Sequence, residues 1–167
     1  GWCHDVRAYR EDATSAAFIR QVISDWYANH RQRTVSQHSD IAAERLVYWL
    51  YHDSFLLNDA DRVFSKYFRK TQFDTVTMLD RVRARKAEKT SLPVLKGLVF
   101  AALYLPGADY LLRGALSSLQ DAIRSRFLAD GGHYTRSPEG HMVALQHIFE
   151  IAAVLRGSDI EPDNEFY

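Results

Sequence analysis

Apolar residues recur every three or four positions along most of this chain, which is the spacing of amphipathic α-helices. In the first such stretch Phe18, Val22 and Trp26 are each four apart, with Ile19 and Ile23 beside them. The same criterion predicts six helices, at about 14–30, 39–50, 59–86, 92–105, 112–130 and 137–157. No stretch of useful length alternates as a strand would, so the expected fold class is all-α.

The stretch 92–105 is apolar on almost every side, which predicts a helix buried at the centre of the fold. Leu98, Phe100 and Leu103 are therefore expected in the core. The last helix is expected to bury a stripe formed by Met142, Leu145, Phe149 and Ala152. Trp26 and Trp49 have two interpretations, since indoles among Ile, Val and Leu can pack in a core or stack on sugar rings.

Composition narrows the classes of function. The 167 residues suit one domain, and Lys+Arg equals Asp+Glu at 21 each, which argues against nucleic acid as the main partner. A single cysteine, Cys3, excludes an internal disulfide and a cysteine-based zinc site. No apolar run reaches the roughly 20 residues of a membrane span. No histidine cluster suggests a metal, because His141 and His147 are six apart and lie on different helix faces. The compartment is not readable from the sequence.

The turn "DGGHYTRSPEGH", residues 130–141, has more polar character than a helix connection requires. Capping explains a left-handed glycine, Ser137 as N-cap and Pro138 at the first helical position. It gives no role to His133, Tyr134 and Arg136. Two interpretations stay open at this point: an ordinary polar loop, or a contact site for an anionic or hydroxyl-rich ligand.

The order and spacing of several segments resemble the heparinase II/III-type polysaccharide lyases. The Asp-Gly-Gly turn leading to Ser-Pro is one, and "AERLVYWLYHDSFLL", with Arg45 and Trp49, is similar to that family's Arg-x-x-x-Trp helix. "LKGLVFAALYLPGADYLLRGALSSLQDAI" resembles the hydrophobic helix pair that precedes the turn. The resemblance covers most of residues 15–160.

This resemblance implies an incomplete α/α toroid of antiparallel helix hairpins, followed in intact members by a β-sheet domain. Residues 1–160 would form the helical domain and residues 161–167 a linker to that β domain. Members cleave uronic-acid polysaccharides by β-elimination in a groove that this turn faces, and no cofactor is expected for this chain. The implied substrate-binding residues are His133, Tyr134, Arg136 and His141.

Two positions depart from the family pattern. Active members carry Tyr-His a few residues after Ser-Pro, whereas this chain has Gly140-His141. They also carry Asn-His at the head of the central apolar helix, where Lys89-Thr90 stands here, give or take a residue. The acid role of the missing tyrosine is not transferred to Tyr134, and no catalytic residue is assigned.

The sequence thus predicts the helical domain of a heparinase II/III-like protein that handles acidic polysaccharide, by β-elimination if the intact protein is active. The alternatives are a non-catalytic glycan-binding module and a helical protein-interaction module.

Overall fold

The computed structural model describes residues 13–30, 38–86 and 89–158. Over these residues the chain forms seven α-helices and one 3-10 helix: α1 Ala13–His30, α2 Ser39–Tyr51, α3 Asp53–Leu57, α4 Arg62–Lys86, α5 Leu92–Tyr104, the 3-10 helix Asp109–Leu111, α6 Leu112–Arg126 and α7 Pro138–Gly157. Within the described residues the β pairing is limited to one isolated bridge between Phe127 and His133. The all-α prediction is confirmed. The predicted linker, 161–167, lies outside the described residues.

Helix α5 is the centre of the fold, as its uniformly apolar sequence predicts. Helices α2, α4, α6 and α7 all pack against it. Leu98 and Phe100 are buried, which confirms the prediction for these two residues, whereas Leu103 is partly buried and packs against the core. Lys96 is a charged residue in this otherwise apolar helix, and its side chain is nevertheless buried, with only 3% exposed.

Gly97 lets α2 and α4 approach α5 closely. A Cβ atom at this position would lie 3.2 Å from the Cβ of Ala43 and 3.2 Å from Cδ1 of Leu79. Both distances are shorter than ordinary van der Waals contact between carbon atoms. The lack of a side chain at Gly97 therefore sets how tightly the central helix is enclosed.

A second apolar cluster joins the first four helices through Ile19, Ile23, Trp49, Leu56, Phe64 and Phe68. Trp26 packs edge-on against Trp49 with ring centroids 5.7 Å apart. The Arg45 guanidinium lies over the Trp26 ring at 4.3 Å, and burial lowers the pKa of Arg45 to about 10. The core interpretation of the two indoles is the one that the structure supports.

The predicted buried stripe of the last helix is partly wrong. Ala152 is buried, but Met142 is 66% exposed and Phe149 is 62% exposed. The buried face of α7 instead carries Ala144, Ile151, Ala152, Val154 and Leu155. Helix α7 is apolar on two faces, and the face with Ala144 is the one that can approach α5, because an alanine there keeps the two helices close.

Two helix boundaries differ from the predicted ones, and one short helix is additional. Helix α4 begins at Arg62 rather than near residue 59, since the Asp61 carboxylate accepts from the Phe64 N–H at 2.8 Å and caps the helix. The preceding segment contains the short helix α3. Helix α6 ends at Arg126, because the chain then turns into a hairpin in which the Tyr134 N–H donates to the Arg126 carbonyl at 2.7 Å.

The start of α7 agrees with prediction. The Ser137 hydroxyl accepts from the Gly140 N–H at 3.2 Å and Pro138 occupies the first turn. Gly131 has φ +78°, so it takes the left-handed conformation, but within the hairpin rather than at the helix end. None of the helices in the described part of the chain has the length and apolar character needed to cross a bilayer.

Candidate functional site: a cleft at three helix N-termini

A cleft of about 540 Å³ opens where the first turns of α2, α5 and α7 meet the end of α6. The residues that line it are Asp40, Ser91, Leu92, Pro93, Arg126, His133, Thr135, Ser137, Glu139, Gly140, Val143, Ala144 and His147. Its polar groups are two carboxylates, one guanidinium, two imidazoles and three hydroxyls. Leu92, Pro93, Val143 and Ala144 supply an apolar wall. A cleft of this composition suits a ligand rich in hydroxyl groups that carries few charges.

The helix starts carry partial positive charge toward the cleft, since their first N–H groups lack intrahelical partners. Asp40 and Glu139 lie in the first turns of α2 and α7, where a carboxylate is favoured by the dipole. The Ser91 hydroxyl donates to the Asp40 carboxylate, which ties the start of α5 to the start of α2. The rim of the cleft is thus held together by contacts between helices that are far apart in sequence.

Arg126 is the cation of the cleft. Its guanidinium donates to the Thr90 carbonyl at 2.8 Å and to the Ala122 carbonyl at 3.1 Å. Burial lowers the pKa of Arg126, while the nearby Tyr134 acts in the opposite direction. The two bonds fix the guanidinium and use two of its five donors. Within the described residues Arg126 makes no further hydrogen bond or ion pair, so the remaining donors are available to an anionic ligand.

His133 fills the space beside Gly140. Its Nδ1 lies 2.8 Å from the Thr135 hydroxyl, and the residue is only 8% exposed. A Cβ atom at Gly140 would lie 2.9 Å from the Thr135 Oγ1 and 3.5 Å from the His133 Nδ1. Position 140 is the one at which the heparinase II/III-type pattern has tyrosine. Here the Thr135 hydroxyl, which contacts His133, occupies the volume that a side chain at position 140 would enter.

A network of charged side chains lies next to His147, behind the part of the cleft wall that this residue forms. The Lys96 ammonium contacts Glu44 at 2.8 Å and Glu150 at 2.6 Å, and Gln146 donates to Glu150 at 3.0 Å. Burial alone would raise the pKa of Glu150, but the hydrogen bonds from Lys96 and Gln146 lower it. His147 lines the cleft next to this network, with its Nδ1 3.7 Å from a Glu44 oxygen. Burial and the Lys96 charge lower the pKa of His147, so its imidazole is neutral at neutral pH.

The structure places three of the four residues predicted to bind substrate in one group and the fourth, Arg136, apart from it. Only His133 lines the cleft. The His141 ring packs edge-on against Phe127 at 5.6 Å, and His133 contacts the same phenyl ring at 5.8 Å. Tyr134 is exposed beside His133, with their ring centroids 4.7 Å apart. His133, Tyr134 and His141 therefore form one aromatic group next to the cleft.

Arg136 lies apart from that group. It pairs with Asp130 at 2.6 Å, and its side chain is 63% exposed. Together with the Gly132 N–H, this contact lowers the pKa of the Asp130 carboxyl group. Arg136 has φ +54°, a left-handed conformation that is uncommon for a residue with a side chain. The contact with Asp130 and the bond from its own N–H to the His133 carbonyl at 2.9 Å hold it there.

Just before α5 lie the two residues, Lys89 and Thr90, that align with Asn-His in the heparinase II/III-type pattern. Thr90 is fully buried and Lys89 is exposed, whereas Ser91, the next residue, lines the cleft. Ser91 is thus the polar residue that the head of α5 presents to the cleft, beside the apolar Leu92 and Pro93.

Sequence reasoning missed most of the cleft. Ser137 is predicted only as a helix cap, and the sequence pattern does not single out Asp40, Arg126 or His147 as ligand contacts. The available signal was positional: most of the lining residues fall within one turn of a predicted helix end. In the described part of the chain no group of three or more His, Cys, Asp or Glu residues is placed to hold a metal ion.

Comparison of the chain with protein-family models, with curated proteins and with solved structures gave no match. The functional interpretation therefore rests on the geometry of the cleft and on the sequence resemblance.

Proposed function

We propose that this chain binds an acidic, uronic-acid polysaccharide or oligosaccharide in the cleft, as the helical domain of a heparinase II/III-like protein. The observation that carries the proposal is a juxtaposition. Ser91, at the head of the central helix, and Gly140, after Ser-Pro, line the same cleft although 49 positions separate them in the chain. The resemblance assigns substrate contact to these two segments.

The chemistry of the cleft favours a uronate over a heavily sulfated glycan. Arg126 can pair with one carboxylate through its planar donors. Asp40 and Glu139 can accept hydrogen bonds from sugar hydroxyls, but they would repel a ligand that carries several sulfates. We therefore propose a ligand with about one carboxylate per sugar ring and free hydroxyl groups. Helices packed around α5 are compatible with part of an α/α toroid, and that arrangement belongs to the same proposal.

The reaction, where the intact protein is active, would be β-elimination. It requires a base for the C5 proton, a group that neutralises the uronate carboxylate and an acid for the leaving oxygen. Arg126 suits the neutralising role. No residue of the cleft is assigned as base or acid, since position 140 lacks the tyrosine.

Calorimetric titration with oligouronates of defined length tests the proposal. Arg126→Gln removes the cation, and we expect affinity to fall by about tenfold or more, because hydrogen bonds to charged groups contribute about 1.5–3 kcal/mol. Arg113→Gln is the matched control, since Arg113 is exposed on the same helix. Equal affinity of the two variants and the wild type would contradict the proposal.

Arg136→Ala distinguishes the cleft from the turn. Binding in the cleft predicts unchanged affinity, because Arg136 is paired with Asp130 and does not line the cleft. A loss confined to Arg136→Ala would place the ligand at the turn instead.

A second candidate function, a helical protein-interaction module, is favoured by the exposed Met142 and Phe149 on α7. If the chain is such a module, the oligouronate titration should give no binding heat. The double variant Met142→Gln/Phe149→Gln should then weaken association with a protein partner.

A further inference from the structure

Lys96 joins the three helices that enclose one side of the cleft. It belongs to α5, and its ammonium contacts Glu44 of α2 and Glu150 of α7 at 2.8 and 2.6 Å. The lysine side chain is almost fully buried, while both glutamates are about one third exposed. Breaking a buried ion pair of this kind is costly, because it leaves a buried charge without its partner. The position of Glu44 and Glu150 is therefore fixed by Lys96.

His147 connects this network to the cleft. It lies on α7 one turn before Glu150, lines the cleft, and has its Nδ1 3.7 Å from Glu44. The groups whose charges act on its imidazole are Lys96 from α5, Glu44 and Asp40 from α2, and Glu150 from α7 itself. The His147 imidazole thus lies between the Lys96–Glu44–Glu150 network on one side and the open cleft on the other.

We propose that His147 is the residue of the cleft that takes up a proton when an acidic sugar binds, and that Lys96, through Glu44 and Glu150, positions it for this. The inference rests on the proposed function and identifies a ligand-contacting residue and a pH dependence for it. A uronate carboxylate in the cleft favours the charged imidazolium form of His147, and the Glu44 carboxylate on the side away from the cleft also stabilises that form. Binding converts His147 from a neutral to a cationic partner of the sugar.

The sign of the pH dependence follows from linkage. The free protein holds His147 neutral at neutral pH, since burial and Lys96 lower its pKa. A bound anion raises that pKa, so the complex binds more protons than the free protein. Affinity therefore increases as pH falls from about 7.5 to 5.5, by at most about tenfold per pH unit for one proton.

The experiment is calorimetric titration of the whole chain with a uronic-acid trisaccharide at pH 6.5, in buffers that differ in ionisation enthalpy. The dependence of the observed heat on the buffer gives the number of protons taken up. We expect net uptake in the wild type and its loss in His147→Gln. His38→Gln is the matched control, because His38 is exposed and does not line the cleft, and it should keep the uptake.

Imidazole resonances in NMR titrations test the positioning role in the free protein. Lys96→Met removes a positive charge, which should raise the pKa of His147. Glu150→Gln removes a negative charge and should lower it, and this variant serves if Lys96→Met does not fold. An unchanged pKa of His147 in Glu150→Gln would overturn the role of the network.

The remaining outcomes separate the two proposals. If the trisaccharide does not bind at all, the proposed function fails and the inference fails with it. If it binds in the cleft but His147→Gln takes up as many protons as the wild type, only the inference is overturned.

Discussion

Gly140 shows how a single position limits the chemistry of the cleft. The Thr135 hydroxyl, which contacts His133, occupies the space next to it, with its Oγ1 2.9 Å from the site of a Cβ atom. A tyrosine could not be placed there without moving Thr135. The difference from the lyase pattern that this turn resembles therefore concerns the surroundings of position 140 as well as its residue, because the Thr135 hydroxyl lies where a side chain would begin.

A double-mutant cycle measures this competition for space. Gly140→Ala should destabilise the protein by about 1–3 kcal/mol, the usual cost of overpacking, partly offset by the higher helix propensity of alanine. In the Thr135→Ala background the same change should be neutral or stabilising, with a coupling of about 0.5–3 kcal/mol. Urea unfolding of the four proteins supplies the values. Additive effects would mean that Thr135 does not occupy the space.

His147 also predicts how stability depends on pH. Its pKa in the folded protein is lowered by burial and by Lys96, so the unfolded chain binds a proton there more readily. The stabilisation from this group is present above its ordinary pKa of about 6.5 and is lost as pH falls below it. Between pH 7.5 and 5.5 the wild type should lose more unfolding free energy than His147→Gln. An equal loss in urea melts would contradict the buried, neutral state of His147.

Helix α5 was predictable because apolar side chains on every face require burial on every side. Helix α7 was harder, since Met142 and Phe149 form one apolar stripe while Ala144 and Ile151 form another at the same helical spacing. Periodicity cannot choose between two apolar faces, and the choice depends on which face packs closely against α5. The start of α7 was predictable, because Ser137 and Pro138 act through local backbone bonds.

Two truncations test these assignments. Leu98 is fully buried in α5, so Leu98→Ala should lower the free energy of unfolding by about 2–5 kcal/mol through cavity formation. Met142→Ala, on the exposed face of α7, should change it by less than about 0.5 kcal/mol. Urea midpoints of the two variants give the comparison. A large loss in Met142→Ala would restore the stripe predicted from sequence.

At the scale of the whole molecule, the cleft is formed by residues that are far apart in the chain, and for that reason the sequence alone did not reveal it. Its contacts join distant residues: Ser91 with Asp40, Arg126 with Thr90, and Lys96 with Glu150. Each pair is separated by more than 30 positions, and no local pattern identifies such partners. His133 is the cleft residue that the sequence did predict as a ligand contact, because helix capping gives it no role in its polar turn.

We expect the 167-residue chain to have no lyase activity. Position 140 lacks the tyrosine of the family pattern, and Ser91 rather than asparagine faces the cleft at the head of α5. Incubation with alginate, hyaluronan, heparin or heparan sulfate should give no increase in the ultraviolet absorbance that unsaturated uronates produce. A clear increase with any of these substrates would show that another residue performs the proton transfers.

The central claim is that an acidic sugar binds where α2, α5 and α7 begin, and an NMR titration with a uronic-acid trisaccharide tests it most directly. We predict that the backbone amide shifts cluster at Ser91, Gly140 and His147, which line the cleft, and that they weaken at higher salt because the contact is ionic. Residues around the Asp130–Arg136 pair should move little. Shifts confined to that pair, or to the exposed face of α7 at Met142 and Phe149, would contradict the assignment of the cleft as the binding site.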